Sequence, residues 1–248
     1  AIQGTELCAV VEQMYSYELL YAYTGDRKWA ERLEILAFNA LPATFSDDMW
    51  AHQYVQMSNQ IECRRFPGKS LFGTNGSEAH LFGLEPNYGC CTANMHQGWP
   101  KFALSAFMHR EGEVINAIPV PSILDSDELF VSLDTEYPFK NQFCYTLKAK
   151  SDISFTIRVP SFAQNVVFDG KRLPTGDITL ALKAGDEGTH TLSFDAAPYI
   201  EARPHGLNTV KSGSLVFSIP VSYEKKMYEY DGYAYMRTSR EPVVCVTS

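Results

Sequence analysis

The chain has 248 residues, 45% of them hydrophobic and 20% charged, a balance that excludes a disordered tail, a collagen-like fibre and a low-complexity segment. Its 29 acidic against 21 basic residues leave a formal net charge of −8, and no Lys/Arg cluster contradicts that sign, so nothing here attracts nucleic acid. No apolar run approaches the roughly 18 residues that a membrane-spanning helix needs. Aromatic residues make up 13%, with 14 Tyr and 15 Phe. That content suits stacking against sugar rings, and it suits a Tyr-rich β-sheet equally well.

In chain order, Cys8, Val11, Tyr15, Leu19 and Tyr23 recur close to helical spacing and predict a first helix over Thr5 to Tyr23. Thr24-Gly25-Asp26 ends it, with Gly25 suited to a left-handed C-terminal position. Asp26 is placed to cap a second helix through Trp29, Leu33, Leu36, Ala37 and Ala40, which Pro42 closes. Together they form a helical hairpin. Ser46 to Asn87 is rich in Gly, Asn, Ser and Pro and has no sustained period, which reads as a long loop region. Asn94 to Met108 reads as a third helix with Pro100 in its first turns.

The pattern then changes. Glu113 to Ala117, Glu128 to Asp134, Gln142 to Lys150, Ile153 to Val159, Val166 to Asp169, Ile178 to Leu182, His190 to Phe194 and Ser214 to Pro220 alternate or carry β-branched and aromatic residues. Turn signals such as Asp169-Gly170 and Lys183-Ala184-Gly185 separate them. Eight short strands so spaced indicate an antiparallel β-sandwich. The fold expected is therefore mixed, with an all-α piece over residues 1–110 and an all-β piece over 111–248. Three helices and a loop do not easily close a core, and both ends of the chain read as cut inside or beside an element. The chain is expected to be a piece of a longer protein.

Six cysteines occur, at positions 8, 63, 90, 91, 144 and 245. A chain this long does not need staples, and Cys144 and Cys245 sit in apolar strand contexts that suit inert core residues. Cys90-Cys91 lies where the loop region meets the third helix, and a thiol near a helix N-terminus has its thiolate favoured. Glu6 and Cys8 open the first helix. The four offer three sulfurs and one carboxylate, a set that tetrahedral zinc accepts. The other reading makes Cys8 a core residue and the pair incidental. On the residues alone that second reading is favoured by roughly two to one, because the motifs are ExC and CC rather than paired CxxC.

Thr5-Glu6-Leu7-Cys8-Ala9, Glu34-Ile35-Leu36-Ala37-Phe38-Asn39, Leu84-Glu85-Pro86-Asn87-Tyr88-Gly89-Cys90-Cys91-Thr92-Ala93-Asn94 and the following Met95-His96-Gln97-Gly98-Trp99-Pro100-Lys101-Phe102 resemble the bacterial β-L-arabinofuranosidases of glycoside hydrolase family 127. Ile157-Arg158-Val159-Pro160 and Leu215-Val216-Phe217-Ser218 fit that family's β-sandwich. The resemblance implies the last helices of an (α/α)6 barrel followed by a β-sandwich. It implies retaining release of L-arabinofuranose from β-linked, plant-type glycans. It implies zinc held by Glu6, Cys8, Cys90 and Cys91, with Cys90 as the nucleophile, and sugar contacts from Glu34 and Tyr54. The chemistry is coherent, since a metal-bound thiol is deprotonated and a thiolate can attack an anomeric carbon.

Two departures accompany the resemblance. The family's acid/base Glu falls before residue 1, roughly 16 residues ahead of Glu6, within one helical stretch of it. The chain alone is then expected to be inactive, with the missing half of the barrel as a partner. Glu62 and Glu85 do not match that acid and read as loop carboxylates. Tyr88 also stands where the founding type has a further cysteine, which bears on substrate and not on the metal. His52, His80, His96 and His109 gather around the loop and third helix, and surface or satisfied roles are favoured for each. Trp50, Tyr54, Phe82 and Tyr88 could line a sugar cleft, Phe82 equally the core, and Cys63 reads as structural. The alternatives to a hydrolase are a non-catalytic, zinc-stabilised carbohydrate-binding or scaffold fragment, and a redox or zinc-storage module. The sequence assigns no cellular compartment.

Overall fold

The computed structural model describes residues 4–60, 62–63, 79–83, 89–227 and 243–247, the side chains of 62, 225–227 and 243–247 excepted. Glu85, Tyr88 and the side chain of Glu62 therefore lie outside the described residues. The chain forms two compact units, one of Ala1–Tyr15, Asn39–Trp99 and Ile219–Ser248, the other of Ser16–Phe38 and Pro100–Ser218. Among the described residues no helix is long and apolar enough to cross a membrane.

A two-residue strand β1 (Thr5–Glu6) leads into helix α1 (Leu7–Thr24). Gly25 closes α1 at φ +65°, a conformation glycine adopts without a Cβ penalty. Asp26 caps helix α2 (Arg27–Ile35), accepting from the Lys28 backbone N–H at 3.1 Å. Tyr17 stacks on Trp29 at 5.5 Å, so the two helices meet as the hairpin predicted from their spacing. The chain continues through a π-helical turn, Leu36–Ala40, and a 3-10 turn, Pro42–Thr44. The long loop region then carries only two-residue strands: β2 (His52–Gln53), β3 (Val55–Gln56), β4 (Glu62–Cys63) and β5 (Phe82–Gly83).

Helix α3 spans Gly89–Leu104. It begins five residues earlier than its sequence pattern indicates and stops before Met108, which lies in a strand. Pro100 sits well inside the helix instead of in its first turns. A proline there removes a hydrogen bond, and packing outweighs that loss: the Phe45 and Trp99 rings lie 5.4 Å apart, and Phe102 is 3% exposed.

Ten strands follow: β6 (Phe107–Arg110), β7 (Glu113–Asn116), β8 (Ser122–Asp125), β9 (Leu129–Thr135), β10 (Gln142–Ala149), β11 (Ile153–Ile157), β12 (Gln164–Phe168), β13 (Lys171–Arg172), β14 (Ile178–Leu182) and β15 (Glu187–Asp195). They form a six-stranded sheet in the order β13-β12-β15-β10-β9-β8 and a four-stranded sheet in the order β14-β11-β7-β6. Every pair is antiparallel except β7 with β11. Side chains alternate in burial along β9 and β10, as a pleat with one wet face requires. Leu133 pairs with Tyr145, and Val131 with Leu147. Together with Phe155 and Ile157 of β11, Val114 of β7 and Leu192 of β15 they build one core between the sheets. Asp169 and Gly170, both at positive φ, make the tight β12–β13 turn that the sequence signals.

A three-stranded antiparallel sheet follows, of β16 (Tyr199–Ala202), β17 (Asn208–Ser212) and β18 (Leu215–Phe217). The last strands are β19 (Tyr223–Met227) and β20 (Val243–Thr247). They join β5 and β2 in a five-stranded sheet, with β4 paired to β20. The molecule is thus a mixed fold of few helices and many, mostly antiparallel strands.

Candidate metal centre

Two glycines let the backbone close around the cluster. A Cβ on Gly4 would lie 1.8 Å from Val55 Cγ1, so only glycine lets the chain entering β1 run against β3. There Thr5 pairs with Gln56 and Glu6 with Val55, and the Leu7 N–H donates to the Tyr54 carbonyl at 2.9 Å. That register fixes Glu6 and starts α1 at the next residue. A Cβ on Gly98 would meet Leu41 Cδ2 at 2.7 Å and Val11 Cγ2 at 3.4 Å. Val11 is one turn from Cys8 on α1, and Gly98 two turns from Cys91 on α3. The close approach at Val11 and Gly98 brings the two cysteines together.

The ligand atoms of Glu6, Cys8, Cys90 and Cys91 all lie within 4.8 Å of one another. Cys8 Sγ and Cys91 Sγ are 3.3 Å apart. The edges of a zinc–sulfur tetrahedron are about 3.8 Å, from bonds of about 2.3 Å, so the donor set and its spacing fit a four-coordinate zinc. Cys8 lies in the first turn of α1, Cys90 and Cys91 in the first turn of α3. Two helix N-termini, each with unsatisfied N–H groups and a partial positive charge, therefore converge on three sulfurs. Asn94 donates from Nδ2 to Cys8 Sγ at 3.4 Å and to the Cys90 carbonyl at 2.9 Å, its amide held by Gln97 at 3.1 Å.

Burial pushes the Cys8 thiol up to about 11, and the acidic neighbours Cys90 and Glu6 add to that rise while a hydrogen bond with Cys91 opposes it. The Cys91 thiol is raised as well, first by burial and then by its bond with Cys8. Side by side and without a cation, these thiols stay protonated at neutral pH. The adjacent cysteines differ sharply in access: Cys91 is 0% exposed, whereas Cys90 is open to solvent.

The other residues singled out in the sequence fall in varied places. Tyr54 is buried, beside the β1–β3 ladder that carries Glu6. Glu34 is fully buried in the other compact unit, where Arg158, Tyr137 and Ser214 all bond its two carboxylate oxygens, the latter two at 2.6 Å. So held, its carboxylate has all of its described bonds within the protein. His52 is buried, its Nε2 2.8 Å from Thr92 Oγ1 next to Cys91. His80 is buried against Gln60, and His109 pairs with Glu128 at the surface. Trp50 is exposed. Sequence reasoning assigned no role to Asn94 or Thr92, although both stand in the motif around the cysteine pair.

No protein-family model matches the sequence, and no curated protein matches it significantly. Solved structures do match. A chain described as a glycoside hydrolase is 16% identical with a TM-score of 0.68, covering 98% of this chain and 49% of its own. A family 127 β-L-arabinofuranosidase from Geobacillus stearothermophilus T6 is 14% identical with a TM-score of 0.62, covering 98% and 47%. A family 127 β-arabinofuranosidase is 18% identical with a TM-score of 0.64, covering 97% and 46%. The chain spans about half the length of each of these proteins. At such identities the likeness is one of fold, and the fold of this chain, few helices with many antiparallel strands, is that of about half of a glycoside hydrolase family 127 enzyme.

Proposed function

We propose that the chain is the part of a retaining β-L-arabinofuranosidase that carries its nucleophile, with Cys90 in that role and Glu6, Cys8, Cys90 and Cys91 holding zinc. Residues 1–110 then belong to the C-terminal part of an (α/α)6 barrel and 111–248 to a β-sandwich. The observation that carries the reading is the cluster itself, in which three sulfurs and a carboxylate converge and one sulfur, that of Cys90, faces solvent.

Bound zinc would keep its sulfur ligands as thiolates. Cys90 Sγ attacks the anomeric carbon of the sugar, and the glycosidic C–O bond breaks. The leaving oxygen takes its proton from an acid/base carboxyl, which the resemblance sets ahead of Glu6. That carboxyl then takes a proton from water as the water displaces sulfur, so the configuration is retained. Cys91, buried behind Cys90, keeps its place as a ligand and cannot reach a substrate. Asn94 holds the first turn of α3 to Cys8 and so aims Cys90 outward. Tyr54 is the proposed sugar contact beside the site.

The test is elemental analysis for zinc together with an activated aryl β-L-arabinofuranoside, whose leaving group needs no proton. About one zinc per chain, and phenol release or a sugar adduct on Cys90, is expected. Cys90→Ser is expected to lower release by ~10³-fold or more. Zinc bound at full occupancy with neither release nor adduct would favour the second reading, a carbohydrate-binding or scaffold fragment in which zinc only ties α1 to α3.

A further inference from the structure

The three sulfurs of the cluster differ in the groups that surround them. Cys8 Sγ lies 3.3 Å from Cys91 Sγ and also accepts an N–H from Asn94 Nδ2 at 3.4 Å. The backbone N–H of Cys8 in turn bonds Cys91 Sγ. Among the described residues no N–H bonds Cys90 Sγ, and Cys90 is the cysteine open to solvent. Two of the sulfurs are therefore held by amides, and the exposed one is bare.

Asn94 is fixed on every side. It stands one turn beyond Cys90 on α3, and its amide nitrogen also donates to the Cys90 carbonyl at 2.9 Å. Its oxygen accepts from Gln97 Nε2 at 3.1 Å, which settles which end of the amide carries the hydrogens. With both hydrogens and the oxygen engaged, the N–H on Cys8 is held in place. A hydrogen bond to a charged acceptor is stronger than one to a neutral acceptor, and on a metal-bound thiolate it draws charge from the sulfur. The sulfur that accepts such a bond is the weaker nucleophile. The sulfur that accepts none keeps its charge.

We propose that Asn94 is a positioning residue that selects between the sulfurs: its N–H withdraws charge from the Cys8 thiolate and keeps Cys8 a spectator ligand, leaving Cys90 as the thiolate that attacks. The proposal rests on the reading of the cluster as a zinc site with Cys90 as nucleophile. Asn94 acts through Cys8 and the first turn of α3, and Gln97 supports it at one remove.

The test loads the chain with cobalt(II) in place of zinc, because cobalt absorbs by charge transfer from its sulfur ligands and the band reports the charge on them. Asn94→Leu has nearly the same size and no donor. At equal cobalt per chain its band is expected at lower energy than in the parent, with a smaller shift in the same direction for Gln97→Leu. The second readout is iodoacetamide on the zinc-loaded chain, in which the attacking sulfur displaces iodide and peptide mapping shows which cysteine has reacted. The parent is expected to be labelled at Cys90, and Asn94→Leu to raise labelling of Cys8 relative to Cys90 by about tenfold. A role in folding alone would lower the melting temperature while the band stays in place and the label stays on Cys90. An unshifted band at full cobalt loading, or label still confined to Cys90 in Asn94→Leu, overturns the proposal. If Asn94→Leu does not fold, the band of Gln97→Leu decides by itself, a shift supporting the proposal and no shift overturning it. No sugar enters the experiment. A parent chain that takes up no cobalt would remove the metal reading and this proposal together, whereas a loaded parent whose band no variant moves removes this proposal alone.

Discussion

Each compact unit gathers a group of ionisable side chains, and the two balance charge in opposite ways. In one, Glu34 faces Arg158, both completely buried, with Tyr137 and Ser214 filling the remaining bonds of the carboxylate and the Ala117 carbonyl accepting from Arg158 Nε at 2.6 Å. Burial works against the Arg158 charge, and Glu34 restores it beyond its ordinary value. The Tyr137 hydroxyl is driven well up by burial and then by the same carboxylate. That group balances its own charge. In the other unit, Glu6, Cys8, Cys90 and Cys91 are all acids, and the charged neighbours that act on Cys8 are themselves acidic. Two helix ends help, but they supply partial charges only. A charge-balanced cluster needs no added cation and serves the fold. A cluster of acids alone calls for a cation, and three sulfurs among four donors call for a soft or borderline one such as zinc.

The comparison breaks most visibly if one half of the balanced pair is removed. Arg158→Met leaves Glu34 buried without its cation, and the expected loss is about 3–5 kcal/mol, seen as a lower midpoint in urea unfolding. Replacing both, Glu34→Leu with Arg158→Met, is expected to recover most of that loss, because the desolvation of the pair then disappears with its attraction. A double variant as unstable as the single one would mean that the pair is not self-contained.

Metal removal is the matching experiment on the other cluster and is expected to be nearly as large. At metal concentrations about 1,000 times the dissociation constant, zinc held by the proposed site would stabilise the folded chain by about 4 kcal/mol. Chelation should lower the melting temperature of the parent chain by the corresponding amount and leave that of Cys91→Ala unchanged. Equal responses in the two would place the metal elsewhere.

The smallest effect expected is on pH dependence. The folded, metal-free Cys8 thiol sits at about 11 against an ordinary 9.0, so the fold binds its proton more tightly than the unfolded chain does. The stability tied to that proton is complete below about pH 9 and lost as pH rises toward about 11. Unfolding of the metal-free chain across that window should show the decline, and Cys8→Ser should lessen it, the raised Cys91 thiol supplying the rest. The zinc-loaded chain should not show it, since its thiols have already given up their protons.

Much of the fold is legible residue by residue, because the signals are local. Alternation in Phe143, Tyr145 and Leu147 names a strand with one buried face, and burial follows it. Asp26 before a helical period names a cap, and it caps. The strand β6 has no local signal, because Phe107 and Met108 continue an apolar helical pattern and only the pairing of β6 with β7 makes them a strand. The start of α3 differs from its local pattern for a related reason. Pro100 signals a first turn locally, whereas contacts of Trp99, Gly98 and Phe102 hold the helix through it.

By itself the sequence determined which chemistry is available: three thiols and a carboxylate in two short motifs, at places where helices begin, within a chain of helices followed by strands. Periodicity, capping and turn chemistry act over a few residues, so they are written in a few residues. What the tertiary structure alone decided is who meets whom. Close backbone approach at Gly4 and Gly98 joins motifs 82 residues apart and leaves Cys90 open while closing Cys91 away. A partner 124 residues away makes Glu34 half of an ion pair. Such encounters depend on the packing of whole faces, and no local pattern encodes them.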